Sequence, residues 1–144
     1  MVIRKHVTIN ARAEKIWDVI TDLPNAKLWA PGFEDYPYIS TDWPKEGSTA
    51  IWRYHSGPIH FDFSLSMVKS ERGKELQIAN QSAFGEGVEV YRLRYSAEQT
   101  TIDYEASSKP NLLGRLFAVM MTRKLEKQMD RTIANLKEYC ERGG

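Results

Sequence analysis

The residues after Pro110 constrain this chain more than any others. Leu113, Phe117, Met121, Leu125, Met129, Ile133, Leu136 and Cys140 recur in steps of four, with one step of three. That is the period of a single helical face. It predicts one helix of about 30 residues, about 45 Å long at 1.5 Å per residue. The other faces carry Arg123, Lys124, Glu126, Lys127, Asp130, Arg131, Lys137 and Glu138. A helix so charged is solvated on its outer side and needs a separate surface for its apolar stripe. A curved sheet supplies one.

The sequence ahead of the helix is rich in strand signals. Ile3, Val7 and Ile9 fall on alternate positions and predict a strand ending near Asn10. Ala13, Ile16, Trp17 and Ile20 then follow the i, i+3, i+4, i+7 spacing of a short amphipathic helix, with Glu14 in its first turn, where a negative charge suits the helix dipole. Pro24 stops that helix, and Asn25 to Ala30 predict a second short one before Pro31. From Phe33 onward the period is two. "PIHFDFSLSMVKS" puts Ile59, Phe61, Phe63, Leu65 and Met67 on one face. Tyr36 and Tyr38, Trp52 and Tyr54, Leu76 and Ile78, and Ile102 and Tyr104 mark further strands. In "GVEVYRLRYS", Tyr91 and Leu93 oppose Val88 and Val90 in parity, which predicts a bulge near Val90. Short turns such as "HSGP", "SERGK" and "SAEQT" join these runs, so the strands form an antiparallel meander.

Length and composition narrow the function classes. With 144 residues, one domain spanning 1–144 is expected. Lys and Arg number 20 against 19 Asp and Glu, so no basic excess points to nucleic acid. Cys140 is the one cysteine, which rules out an intrachain disulfide. No apolar run approaches the ~18 residues of a spanning helix, and no signal core opens the chain. A cytoplasmic protein is the expectation. No Cys/His cluster, no Gly-x-Gly-x-x-Gly after a strand and no nucleophile beside a base stands out, so neither a metal nor a cofactor is expected.

The order strand, two short helices, six strands, long helix resembles the helix-grip arrangement of the START-like superfamily, which includes polyketide cyclases and lipid-transfer proteins. "VTINARAEKIWDVITDLPNAKLW", from Val7 to Trp29, is similar to that family's opening. "NLLGRLF", with Gly114 near the helix start, and "TIANLKEYCE" are similar to its closing helix. Arg12 departs from the proline the family often has at the first helical turn, a position that sets how the helix begins. The resemblance implies an α+β fold: a curved antiparallel sheet of about seven strands, with the long helix across its concave face.

It also implies a cavity between sheet and helix for a hydrophobic molecule such as a lipid, isoprenoid or polyketide. Two alternatives come with it. One is an aromatic cyclase or dehydratase acting on such a ligand. The other is a protein-interaction module of the ubiquinone-chaperone or ribosome-associated kind, with a protein partner or a homodimer. On this reading the inward parity supplies Tyr36, Tyr38, Trp52, Tyr54, Phe61, Phe63, Leu65, Tyr91, Leu93 and Tyr104 as pocket candidates. Trp29 and Phe33 either pack or border the pocket, whereas Trp17 wedges the first helix against the sheet. Leu113, Phe117 and Met121 belong to the helix's main stripe. Leu112, Leu116 and Met120 add a second apolar track over its first turns, which either packs closely or lines the pocket mouth. Tyr54 and Tyr104 are the expected polar groups inside, as orienting donors, and a catalytic acid or base is not identifiable. Arg92 is the charged residue to watch, because it shares the parity of Val90.

Overall fold

The structure, a computed structural model, describes residues 1–143; the side chains of Met121 and Thr122 lie outside the described set. The chain runs β1 (Val2–Ile9), α1 (Ala13–Thr21), a 3₁₀ segment (Leu23–Leu28), β2 (Phe33–Ile39), β3 (Thr49–Ser56), β4 (Ile59–Glu71), β5 (Glu75–Ser82), β6 (Gly85–Ser96), β7 (Gln99–Pro110) and α2 (Leu112–Glu141). One seven-stranded sheet has the order β1-β7-β6-β5-β4-β3-β2, with every neighbouring pair antiparallel. Successive strands are neighbours except at β1, which pairs with β7. The two short helical pieces after β1 carry the chain across to the opposite edge.

Local chemistry accounts for the elements. In α1 the spaced apolar side chains Ile16, Trp17 and Ile20 are buried, and the Trp17 indole donates to the Glu75 carbonyl at 3.4 Å. Each such side chain contributes roughly 1.5–3 kcal/mol by leaving water. The 3₁₀ segment has Pro24 in its first turn, where no intrahelical N–H is required. Between β6 and β7, Ala97 and Glu98 both take positive φ (52° and 64°), the turn geometry that matches strand twist. The strands' outward faces carry cross-strand ion pairs: Arg53–Asp62, Arg94–Asp103, Arg4–Glu105 and Arg92–Glu75. Exposed pairs of this kind contribute little each. Arg92 therefore belongs to the outer face, away from the concave side.

The predicted bulge near Val90 is absent. Neither ladder of β6 shifts register: the one with β5 runs from Gly85 to Arg92 and the one with β7 from Gly85 to Ser96. The irregularities lie elsewhere, between Met67 and Lys69 in β4 and at Asp35 in β2. Each leaves an unmatched residue that bends its strand and helps the sheet curl. Val68 is the unmatched residue of β4, and it is exposed.

Helix α2 is fastened at both ends. At its start the Asn111 side chain accepts from the Gly114 N–H at 2.8 Å and donates to the Ala83 carbonyl at 3.0 Å. Phe117 stacks on Phe84, ring centroids 4.4 Å apart. At its far end Leu136 and Cys140 enter the main core beside Ile9, Leu76 and Ile102. There Lys137 donates to the Thr8 carbonyl at 2.7 Å, and Glu141 accepts the Asn10 N–H at 2.9 Å. Between these fastenings the helix spans the concave face. The described residues of the main apolar stripe face inward from Phe117 onward, but its first residue, Leu113, and the second track do not: Leu112, Leu113, Leu116, Val119 and Met120 are 52–85% exposed.

Candidate functional site

Under the middle of α2 the concave sheet face leaves a pocket of about 350 Å³, partly open to solvent. Strands β1, β3, β4, β6 and β7 wall it with Ile3, Val7, Trp52, Tyr54, Phe63, Tyr91, Ile102, Tyr104 and Ala106. The helix closes it with Leu125, Gln128, Met129, Thr132, Ile133 and Leu136. Trp29, only 6% exposed, enters from the end of the 3₁₀ segment. The alternation of each strand brings these side chains to one face, because residues two apart point the same way.

Of the residues expected at a pocket, Trp29, Trp52, Tyr54, Phe63, Tyr91 and Tyr104 meet around this space. Others of the inward parity do not reach it. Phe33, Leu65 and Leu93 are buried in the core, and Tyr36 packs against it. Phe61 and Phe117 join Phe84 in an aromatic cluster near the start of α2. Tyr38, on the edge strand β2, is half exposed. Leu113, Leu116 and Met120 face solvent, because the anchorage at Asn111 and Gly114 fixes the rotation of the helix. Met121 lies outside the described side chains. The helix contributes its second half to the pocket, where the sequence reading had favoured its first turns.

The residue that sequence reasoning missed is Glu89. It shares parity with Tyr91 and Leu93 and so points inward once β6 runs without a bulge. The Tyr91 hydroxyl donates to its Oε2 at 3.2 Å, and the Tyr104 hydroxyl also bonds to this carboxyl. The two tyrosine rings lie 4.9 Å apart. Burial pushes the Glu89 carboxyl up from its ordinary 4.5, against the pull of the two hydroxyls. Burial together with this carboxyl drives the Tyr91 and Tyr104 hydroxyls well above their ordinary range, and burial pushes Tyr54 up to about 12 against the pull of Gln128. Two further polar atoms are buried without a partner: the indole Nε1 of Trp29 and that of Trp52. The site is thus a largely apolar pocket whose polar lining includes Glu89 with its hydroxyl partners, Lys5, Asn80, Gln128 and Thr132, with two idle indole N–H groups buried in its wall. Among the described residues no cluster of three or more His, Cys, Asp or Glu could hold a metal ion.

Glu89 gives stability a defined pH dependence. The folded state holds its proton more tightly than the unfolded chain does. That contribution is complete below the ordinary carboxylate pKa and is lost as pH rises through the raised folded value. Thermal unfolding from about pH 4 to about pH 8 should therefore show Glu89→Gln gaining on the wild type as pH rises. Parallel curves for the two proteins would mean that the carboxyl titrates as it does in water.

A sheet curled around one long helix, with a pocket between them, defines a helix-grip domain. The sequence pattern of the family described as polyketide cyclase / dehydrase and lipid transport matches residues 2–141. The chain belongs to this family. Among solved structures it is similar to the Zhui aromatase/cyclase from Streptomyces sp. R1128, with a TM-score of 0.79 at 14% identity over 99% of this chain and 94% of that one. It is also similar to protein CV1439 from Chromobacterium violaceum, with a TM-score of 0.78 at 12% identity over 98% of both chains. A START superfamily protein from Mycobacterium smegmatis gives 0.75 at 13% identity over 99% of both. At these identities the likeness is one of fold. No curated protein matches the sequence. Among the described residues no helix is long and apolar enough to cross a membrane.

Proposed function

We propose that the chain binds a hydrophobic small molecule, of lipid, isoprenoid or polyketide character, in the pocket between the sheet and α2. The observation that carries this reading is the pocket wall itself: Ile3, Val7, Trp29, Phe63, Met129 and Ile133 converge on a space large enough for a ligand of about three rings. Apolar walls reward removal of apolar ligand surface from water, at about 25 cal/mol per Å².

Native mass spectrometry of the protein from its own host, followed by gentle release, tests it. A retained apolar compound is the expected result. With that compound, Phe63→Trp, which fills the pocket, should weaken binding by about tenfold or more. Met120→Lys should leave affinity unchanged, because Met120 is 80% exposed and outside the wall. Equal affinities for both variants and the wild type would remove the pocket as the binding site.

Glu89 favours a second reading, in which the bound molecule is also transformed. A carboxyl with a raised pKa in a largely apolar pocket is suited to hand a proton to a departing hydroxyl. Loss of water from the retained compound on incubation with the wild type, but not with Glu89→Gln, supports catalysis. An unchanged compound supports binding alone.

A further inference from the structure

We infer that Glu89, the hydroxyls of Tyr91 and Tyr104, and the indole N–H groups of Trp29 and Trp52 form the polar end of the pocket, and that they select uncharged apolar molecules bearing a carbonyl oxygen. The inference rests on the pocket being the ligand site.

The donors decide the ligand's chemistry. The Nε1 atoms of Trp29 and Trp52 are buried and lack an acceptor, in a pocket both residues line. An unmatched buried donor costs about 1–3 kcal/mol, which a ligand oxygen would recover. Glu89 bears the same need from the other side. Among the described residues it forms no ion pair, and its hydrogen-bond partners are tyrosine hydroxyls. Burial favours its protonated form, in which one oxygen accepts from Tyr91 while the other can donate.

A ligand carboxylate is poorly served here. The charged and titratable groups facing this end are few. Met1 brings the terminal ammonium, which donates to the Ser108 carbonyl at 3.0 Å; strand β1 offers Lys5 and the exposed His6, and β3 offers Tyr54. Strands β6 and β7 offer Tyr91 and Tyr104, and α2 offers the neutral Gln128. The Lys5 ammonium is already engaged with Asp130 at 2.8 Å. Among the described residues of the lining the Lys5 and Met1 ammonium groups already have partners, so an anion would lose its water with little to replace it. A carbonyl oxygen needs only donors, and the two unpartnered indole N–H groups and a protonated Glu89 would supply them.

Three naphthalene probes of matched size separate the possibilities: 2-acetylnaphthalene, 2-ethylnaphthalene and 2-naphthoate. Dissociation constants are measured for the wild type, Glu89→Gln and Glu89→Met. The ketone should bind the wild type about tenfold tighter than the hydrocarbon or the carboxylate. Glu89→Gln keeps an N–H donor and should preserve that preference, whereas Glu89→Met, which leaves only the indole donors, should reduce it several-fold. Ketone affinity of the wild type should fall as pH rises and the donor proton is lost, and that of Glu89→Gln should stay level. Equal binding of ketone and hydrocarbon by the wild type, or tightest binding of the carboxylate, overturns the polar selection and leaves the apolar pocket standing. If none of the three binds, the pocket reading fails and this inference falls with it.

Discussion

Replacing Gly114 by alanine should lower stability by about 3 kcal/mol, a fall of about 10 °C in Tm for a chain of this length. Helix propensity alone predicts the opposite sign, since alanine gains about 1 kcal/mol over glycine inside a helix. The contact decides the matter. A Cβ at residue 114 would lie 2.0 Å from the Phe84 carbonyl oxygen and 3.0 Å from its carbon. Both are backbone atoms, so no rotamer change relieves the overlap. Either the start of α2 or the β5–β6 hairpin must move. Moving either strains the bond from the Asn111 N–H to the Phe84 carbonyl (3.1 Å), the bond to Ala83 and the Phe84–Phe117 stack. Thermal unfolding of Gly114→Ala beside Gly47→Ala checks this. A methyl group at Gly47 meets nothing within 4 Å and bears only the strain of its φ of 84°, about 1–2 kcal/mol. Similar small losses in both variants would mean that the helix start is loosely held.

Gly32→Ala should cost at least as much and should also damage binding. Gly32 has a φ of 90°, which a side chain tolerates poorly. A methyl group there would stand 2.4 Å from Gln128 Nε2, 2.7 Å from the His55 carbonyl oxygen and 2.8 Å from the Tyr54 ring. The Gln128 side chain can swing away, but it then gives up its bond to the Pro31 carbonyl at 3.0 Å. His55 is tied to the same site, since its N–H donates to the Gly32 carbonyl at 2.8 Å. Gln128 and Tyr54 line the pocket, so the displacement reaches the wall. We expect a Tm loss of about 10 °C or more, together with about tenfold weaker ligand binding measured well below the new Tm. A large Tm loss with unchanged affinity would separate this glycine from the pocket.

Periodicity made most of the architecture legible. The switch from period two to a four-residue step at Pro110 marks the boundary between sheet and helix, and the parity of Phe61, Phe63, Leu65 and Met67 identifies the inward face of β4. Two features escaped it for physical reasons. Val88 and Val90 are apolar and invite burial, yet they lie on the outer face of β6, and taking them as inward hides Glu89 between them. A strand's alternation signals burial only where polar residues stay outside, and a pocket breaks that rule by turning one acid in. On α2 the sequence offers two apolar tracks and the sheet covers one. Which one is covered depends on the backbone contact at Gly114, to which hydrophobic spacing is blind. The sequence leaves Trp29 between packing and lining. It does both: its ring is buried, and its indole nitrogen stays unpaired at the pocket.

The pairing of β1 with β7 bears on how the molecule acquires its pocket during folding. Thr8 meets Thr101 and Arg4 meets Glu105 across separations of 93 and 101 residues. Ile3, Lys5 and Val7, all on β1, form one wall of the pocket. Local hairpins from β2 to β7 can zip in sequence order, each at small loop-closure cost, but the β1 wall arrives only through the most distant contact in the sheet. Until then β7 is an open edge that another chain could extend. A ligand that needs the whole pocket cannot assist the early steps. Bound there, it would act as a latch on the finished state, slowing the departure of β1 more than it speeds its arrival.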